Sequence, residues 1–325
     1  MTTYVGAKGL NRTENSQKLQ RMADQRTDIS QVRLLRLATR AAVAVAVLLI
    51  IMKMAAWFLT DSVAILSSLM DSVLDVGASL VNMYAVAHAL VPADREHRFG
   101  HGKAEALAGL AQSAFISGSA LFLVAEAGQR LIEPQPIIRD GIGISVMVLS
   151  IFLTLGLVIF QRQVVKRTHS TAISADSMHY RGDILANLGV IVALVLAGNF
   201  GWIRADAIIA LLVAAYILFG AWGIVKNALD QLMDRELPEA QRERIRDIAM
   251  AHEDVDDVHD LRTRSSGIQT FIQFHLELDG ELSLSKAHEI ADDVEAQIQS
   301  AFPGAEVIIH QDPAGLEEWQ PNFAN

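Results

Sequence analysis

Cysteine is absent from this chain of 325 residues. A disulfide, a thiolate metal site and a cysteine nucleophile are therefore excluded, and any bound metal must be held by histidine, aspartate, glutamate or backbone oxygen. Basic residues are in the minority, with 27 lysines and arginines against 37 acidic residues. Much of the acidic excess lies in the C-terminal part, and no basic face is visible, so we expect no nucleic-acid partner.

The N-terminal segment also lacks something, because it has no apolar stretch of the kind that a cleavable signal peptide requires. Residues 1–30 are predominantly polar, with several lysines and arginines. We expect them to form a disordered cytoplasmic tail.

Long apolar runs dominate what is present. A hydrocarbon core of about 30 Å needs roughly 20 helical residues, and runs of that length recur from Ala41 to Ile224 and stop after Leu237. We therefore predict a mostly α membrane protein with a six-helix transmembrane bundle in residues 31–234. The predicted spans are Leu34–Leu59, Ser62–Val91, Ala104–Leu131, Gly141–Phe160, Ile173–Gly198 and Ile203–Ile224.

Positive charges in the connections predict the orientation of the bundle. The connections after spans two and four carry most of them: Arg95, Arg98, Lys103, Arg162, Lys166 and Arg167. The opposite side holds only Arg130, Arg139 and Arg204. The positive-inside rule then places the N-terminus and the C-terminus of this multi-pass protein in the cytoplasm.

Residues 235–325 change in character and predict a small cytoplasmic α+β domain, similar to metallochaperones, with the order helix, strand, strand, helix, strand. The predicted elements are a helix from Pro238 to about His252, strands Val255–Arg264 and Ile268–Leu278 joined at Ser265–Gly267, a helix Ser283–Ala301 and a strand Glu306–His310.

Charged residues inside the predicted spans are the first candidate site. Asp71 and Asp75 lie four residues apart in span two, and His179 and Asp183 lie four apart in span five, so each pair shares a helix face. Counted from the outer ends of their spans, Asp75 and Asp183 lie at depths of about 20 and 22 Å. Three carboxylates and one imidazole at one depth suit zinc, although intramembrane aspartates also serve as proton relays or helix-to-helix hydrogen bonds.

Two further groups lie outside the spans. The loop after span two contains Asp94, His97 and His101, with spacings of three and four. These side chains could bind one metal with an open coordination position, or they could simply be solvated. The soluble domain carries a third set of candidate ligands: His259, His275, His288, His310 and Asp312. The alternative for this set is that its histidines are ordinary surface residues. Lys53, inside span one, is expected to snorkel or to pair within the bundle.

The sequence around these residues resembles the cation diffusion facilitator family, in particular its bacterial zinc transporters. The matching stretches are Ser68–Asp75, Pro92–Asp94, His97–Glu105, Ala175–Tyr180 with Asp183, Leu261–Arg264, Phe274–Gly280 and Val307–Pro313. They are spread over nearly the whole chain after residue 30.

The resemblance implies a homodimeric metal/proton antiporter of the bacterial inner membrane, with no catalytic cofactor and no enzymatic activity. Zn²⁺ would be the substrate and also a structural or regulatory ligand. The resemblance assigns Asp71, Asp75, His179 and Asp183 to transport, the loop residues to a second site and the soluble set to a third. Cd²⁺, Fe²⁺ and Mn²⁺ stay open as cargo, since three aspartates and one histidine tolerate several metals.

Two other classes of protein compete with this interpretation. A membrane-bound metal sensor would use the soluble sites but would not need four ligands inside the membrane. An intramembrane metalloprotease would need a water-activating zinc and a general base, and the sequence contains no His-Glu-x-x-His run.

Overall fold

A computed structural model describes residues 7–61, 63–133 and 141–315, with side chains for 30–61, 65–133 and 141–315. The chain divides into two compact units, one spanning Val32–Leu232 and the other containing the residues from Met233 onward. Residues 1–6 of the expected tail, Arg139 and residues 316–325 lie outside the described residues.

The first unit, called the membrane unit below, consists of helices. Six helices in the described residues are long and apolar enough to cross a membrane by length and composition. Their bounds are α1 Ala7–Thr60, α2 Val63–Ala89, α3 Lys103–Ile132, α4 Gly141–Thr168, α5 Thr171–Phe200 and α6 Ala205–Leu232. All six predicted spans are thus present as helices.

The expectation of a disordered tail differs from the structure wherever that segment is described. α1 begins at Ala7, so residues 7–30 have a helical backbone continuous with the first span. Between Ala7 and Ser30 the sequence has no proline and only one glycine, Gly9, and it contains three glutamines, three arginines, two lysines and two leucines. These residues have high helix propensity, so the polarity of a segment is not sufficient to predict that it is disordered.

Helices α4 and α6 extend about two turns beyond their predicted ends, to Thr168 and Leu232. The predicted ends mark where the apolar residues stop, but a helix can continue through polar residues until its backbone conformation changes. His169, with φ 52°, ends α4, and Ser170 then caps α5 by accepting a hydrogen bond from the Ile173 N–H at 3.1 Å. Gly201 closes α5 in the left-handed conformation.

Small and branched side chains hold the membrane unit together. Ile116 and Ala120 of α3 pack with Val213, Ile217 and Ala221 of α6. Large apolar side chains instead project outward, among them Phe58, Phe122, Phe152, Phe219 and Trp222, which are all more than two-thirds exposed. Such a surface is compatible with lipid, because apolar side chains gain no hydrophobic free energy by leaving lipid tails for the protein interior.

The second unit, called the soluble unit, has the predicted order of elements. It contains α7 Glu239–Met250, β1 Asp257–Ser266, β2 Gln269–Leu278, α8 Leu284–Ala301 and β3 Ala305–Pro313. The sheet order is β1-β2-β3, with β1 antiparallel and β3 parallel to the central strand β2. The hairpin turn lies at Gly267 and Ile268, one residue later than predicted, because Gly267 takes a φ of 60° that favours glycine.

Alternation along β2 separates the two faces of the sheet. Ile272, Phe274 and Leu276 are buried in the core with Ile290 and Val294 of α8. The intervening residues of β2, including His275, point to the opposite face because side chains alternate along a strand. That face carries the metal-ligating candidates that lie on strands, whereas His288 lies on α8.

Candidate metal centres

The intramembrane candidates meet between α2 and α5. His179 Nε2 lies 2.8 Å from Asp75 Oδ1 and 3.7 Å from Asp183 Oδ2. One ligand atom from each of the three residues lies within 4.8 Å of the others. Ligand atoms around a tetrahedral zinc are separated by about 3.3 Å, so this group needs only small movements to hold a metal.

Packing fixes the orientation of His179. Its side chain is buried, and its ring has Phe115 of α3 and Tyr180 as aromatic neighbours, with centroids 6.0 and 5.4 Å away. The Tyr180 hydroxyl lies 2.9 Å from Ser79 Oγ on α2, which links the two helices that carry the ligands. The ligands are therefore held by two packed helices rather than by a loop.

The fourth predicted ligand of this site is placed differently. Asp71 is exposed and does not belong to the group formed by Asp75, His179 and Asp183. It lies one turn before Asp75 on α2, so its place in the site rests on helical spacing alone. Lys53 of α1 reaches the same stretch of α2, where its ammonium donates to Ser72 Oγ at 2.7 Å.

The loop candidates Asp94, His97 and His101 also come together. His97 Nδ1 lies 3.5 Å from Asp94 Oδ1, and His101 Nε2 lies 3.4 Å from Asp94 Oδ2. His101 is buried, whereas His97 and Asp94 are exposed. The group is thus built around one anchored imidazole with two ligands facing outward.

Backbone geometry keeps the Asp94 carboxylate ionised. The His97 N–H donates to Asp94 Oδ1 at 2.7 Å, which lowers the pKa of this carboxyl below its ordinary value. The Glu96 N–H donates to the same oxygen at 2.9 Å and acts in the same direction. Metal ligation needs the deprotonated form, so the turn prepares Asp94 for it.

In the soluble unit, three histidines form a row across the sheet. His259 of β1 is opposite His275 of β2, and His275 is beside His310 of β3. The ring centroids are 5.1 Å apart for the first pair and 4.7 Å for the second. Strand register, rather than nearness in sequence, brings these rings together.

Asp312 is the common partner of this row. Its Oδ2 lies 2.6 Å from His275 Nδ1 and 3.6 Å from His259 Nε2, and its Oδ1 lies 3.1 Å from His310 Nε2. Asp312 is buried although it is charged. Nitrogen and carboxylate donors at this spacing fit a zinc ion.

His288 does not join the row in the described chain. It is exposed on α8, where its nearest acidic partner is Asp292 at 3.7 Å. Its assignment as a ligand therefore rests on the resemblance and remains a prediction.

The match to known families covers both units. Residues 39–233 match the cation efflux transmembrane domain, and residues 237–314 match the cytoplasmic domain of cation efflux proteins. The chain belongs to the cation diffusion facilitator family. It is a multi-pass membrane transporter with a cytoplasmic C-terminal domain and not an enzyme. This agrees with the expected family, fold class and topology of the C-terminal part.

Relatives in the family extend over almost the whole chain. The cation-efflux pumps FieF of Shigella boydii serotype 18 and of Salmonella choleraesuis are each 49% identical over 284 residues, covering 87% of this chain and 94% of the relative. A solved structure, the metal-bound C-terminal domain of the CzcD transporter from Thermotoga maritima, is 26% identical, with a TM-score of 0.24. It covers 25% of this chain, and the match spans 100% of that domain.

The sequence did not predict that further residues lie beside the soluble and loop candidate sites. Asp257 and Glu277 face each other across β1 and β2 and form a further group with His259. The position of the turn alone does not predict this pairing, because a bulge between His259 and Arg262 shifts the register by one residue. The ring of His88, in the last turn of α2, lies 4.8 Å from the ring of His101, and no spacing in the sequence signals that contact.

Proposed function

We propose that this transporter exports divalent cations, with Zn²⁺ as its principal cargo, in exchange for protons across the bacterial inner membrane. The observation that carries the proposal is the group of Asp75, His179 and Asp183 within the membrane unit. Charged side chains inside membrane spans are costly, so a cluster of them indicates an ion pathway. Asp71, on the same face of α2 as Asp75, is the proposed fourth ligand.

Proton exchange follows from the chemistry of these ligands. A metal binds ionised aspartate and neutral histidine, so protons and metal compete for the same lone pairs. The metal would be loaded from the cytoplasm, the helices would move, and the metal would be released on the opposite side. Protons would then occupy the vacated ligands and be carried back to the cytoplasm. The gradient of protons drives export without any further energy source.

The loop and soluble groups are proposed as accessory sites for the same ions. Asp94, His97 and His101 lie in the connection between α2 and α3, on the side that positive charges assign to the cytoplasm. The row of His259, His275 and His310 with Asp312 would bind metal as a structural or regulatory ligand in a homodimer. The family match of this domain supports dimerisation.

Relatives of the chain support the direction of transport, since they are named cation-efflux pumps. A metal sensor has no use for a ligand group between membrane helices, which favours the transporter. The set of one nitrogen and several oxygen donors suits zinc and also tolerates Cd²⁺, Fe²⁺ and Mn²⁺.

The test is metal flux into sealed vesicles that contain the purified chain. An imposed proton gradient should drive Zn²⁺ across the bilayer, and Asp75→Asn should stop that flux while the protein stays folded. Metal binding without flux under any proton gradient would contradict the proposal and favour the sensor.

A further inference from the structure

Lys53 is a charged side chain within the apolar part of α1, where the sequence around it reads Ile50-Ile51-Met52-Lys53-Met54-Ala55-Ala56. Its ammonium donates to Ser72 Oγ at 2.7 Å and to the Ser68 carbonyl oxygen at 3.0 Å, both on α2. Ser72 is buried. The half-buried lysine is therefore bound to α2 within the membrane unit.

The acceptors of Lys53 belong to the segment that carries the proposed metal ligands. Ser72 directly follows Asp71, and Ser68 and Ser72 each lie three residues before a carboxylate of the pair. Burial opposes the positive charge of this ammonium, and the carboxylates that favour the charge are those of Asp75, Asp183 and Asp71, in decreasing order. All three acidic groups of the proposed transport site thus act on this one cation.

A lysine at this depth is costly, and neither helix formation nor packing requires one there. The two serine acceptors are neutral and do not balance its charge. The groups that do are the three carboxylates, which are themselves needed for the metal. The positions of Lys53 and of the ligands therefore have to be explained together.

We propose that Lys53 is a fixed countercharge of the transport site that matches it to one divalent cation. This inference rests on the function proposed above. With the three carboxylates ionised and His179 neutral, the site carries three negative charges, and the lysine reduces the excess to two. One divalent ion then makes the loaded site neutral, which a medium of low dielectric strongly favours.

The proposal makes a prediction that depends on the charge of the ion. A fixed positive charge repels a bound cation in proportion to the charge of that cation. Removing it should tighten the binding of every cation, and that of a trivalent ion more than that of a divalent one. On a logarithmic scale, the gain for a trivalent ion should be about one and a half times the gain for a divalent ion.

The experiment measures Zn²⁺ and Tb³⁺ affinity at neutral pH in the full chain, in a background where His101→Gln, His275→Gln and His310→Gln weaken the other sites. Lys53→Met removes the charge at nearly constant length, and Lys53→Arg keeps it. Lys226→Met removes a lysine from the exposed side of α6 and serves as the matched control.

Lys53→Met should tighten Zn²⁺ about tenfold and Tb³⁺ about thirtyfold, whereas Lys53→Arg and Lys226→Met should stay near the background values. Lys53→Gln loses the charge but keeps a donor for Ser72, and it should behave like Lys53→Met even if the methionine variant folds poorly. Unchanged or weaker binding in the charge-removing variants would overturn the proposal, as would equal effects of Lys53→Arg and Lys53→Met. If the background protein with Lys53 intact binds no Zn²⁺ in the membrane unit, the proposed function fails as well.

Discussion

His179 Nε2 of α5 lies 2.8 Å from Asp75 Oδ1 of α2, although the two residues are about a hundred positions apart in the sequence. Asp183, one turn after His179, adds a second carboxylate at 3.7 Å. Two helices therefore supply the proposed transport ligands, and a movement of one helix against the other changes the distance between ligands. That is the physical property that a site with alternating access requires.

The first prediction separates the two aspartates of α2. Asp75→Asn should abolish Zn²⁺ binding in the membrane unit, because it removes a ligand from the group formed with His179. Asp71→Asn should weaken binding about tenfold, because this residue lies outside the group and would have to be recruited by the metal. Calorimetry on the purified variants measures both.

Asp206→Asn provides the control for these variants. Asp206 is also a carboxylate of the membrane unit, but it pairs with Arg130 at 2.8 Å. Its loss should leave Zn²⁺ affinity unchanged. Equal affinities in Asp71→Asn and Asp75→Asn would show that the two aspartates are equivalent and that the group of three does not describe the site.

Regular helical geometry explains why this site was predictable. A spacing of four residues within each helix placed each pair on one face, and counting residues from the helix ends gave both pairs a similar depth. In the structure, Asp75, His179 and Asp183 lie together between α2 and α5. Spacing within α2 does not report that Asp71 is exposed.

The second prediction concerns metal choice. His179→Asp would convert the site to carboxylate oxygens only, which suits harder ions such as Mn²⁺ better than Zn²⁺. Zinc affinity should fall about tenfold or more relative to manganese affinity. The dependence of zinc binding on pH around neutrality should also flatten, because imidazole is the ligand type that changes charge there. Superimposable pH profiles for wild type and His179→Asp would show that protons are carried by the aspartates.

The third prediction is the pH dependence of the loop site. Because the hydrogen bond from the His97 N–H, assisted by that from the Glu96 N–H, lowers the pKa of Asp94, its carboxylate stays ionised to a lower pH than an ordinary aspartate and is protonated only as the pH falls through that lowered pKa. The contribution of Asp94 to the metal affinity of the loop should therefore be lost only below the pH at which an ordinary aspartate is protonated.

Zinc titrations across mildly acidic pH, in a variant that lacks the other ligands, measure this dependence. Equal affinities of wild type and Asp94→Asn at or above the ordinary aspartate pKa of about 3.9 would contradict it. Asp94→Asn should weaken binding at every pH.

The fourth prediction tests the row of histidines in the soluble unit. A fragment from Met233 onward has its own core and sheet, so it should fold alone and bind metal. His275→Gln should reduce its zinc affinity at least about a hundredfold, because His275 is the central ring and bonds Asp312. His288→Gln, an exposed change on α8, should have a much smaller effect. The reverse order of effects would place the metal near α8 instead.

Contacts made across the sheet were harder to predict than those within helices. The strands were predicted in the right order, but the turn was placed one residue early, and one residue of register exchanges the two faces of a strand. The pairing of Asp257 with Glu277 depends on both the position of the turn and a shift of one residue further along β1. A bulge between His259 and Arg262, where Asp260 has a φ of 47°, is likewise invisible to an alternating pattern.

The central claim is that metal and protons exchange at the intramembrane group and not at the loop or the soluble unit. The most direct measurement records zinc uptake and proton counterflow together in sealed vesicles, for one variant lacking His101, His275 and His310 and for another carrying only Asp75→Asn. We predict that both fluxes persist in the first variant and that both disappear in the second. Loss of both fluxes in the first variant with full transport in Asp75→Asn would contradict the account.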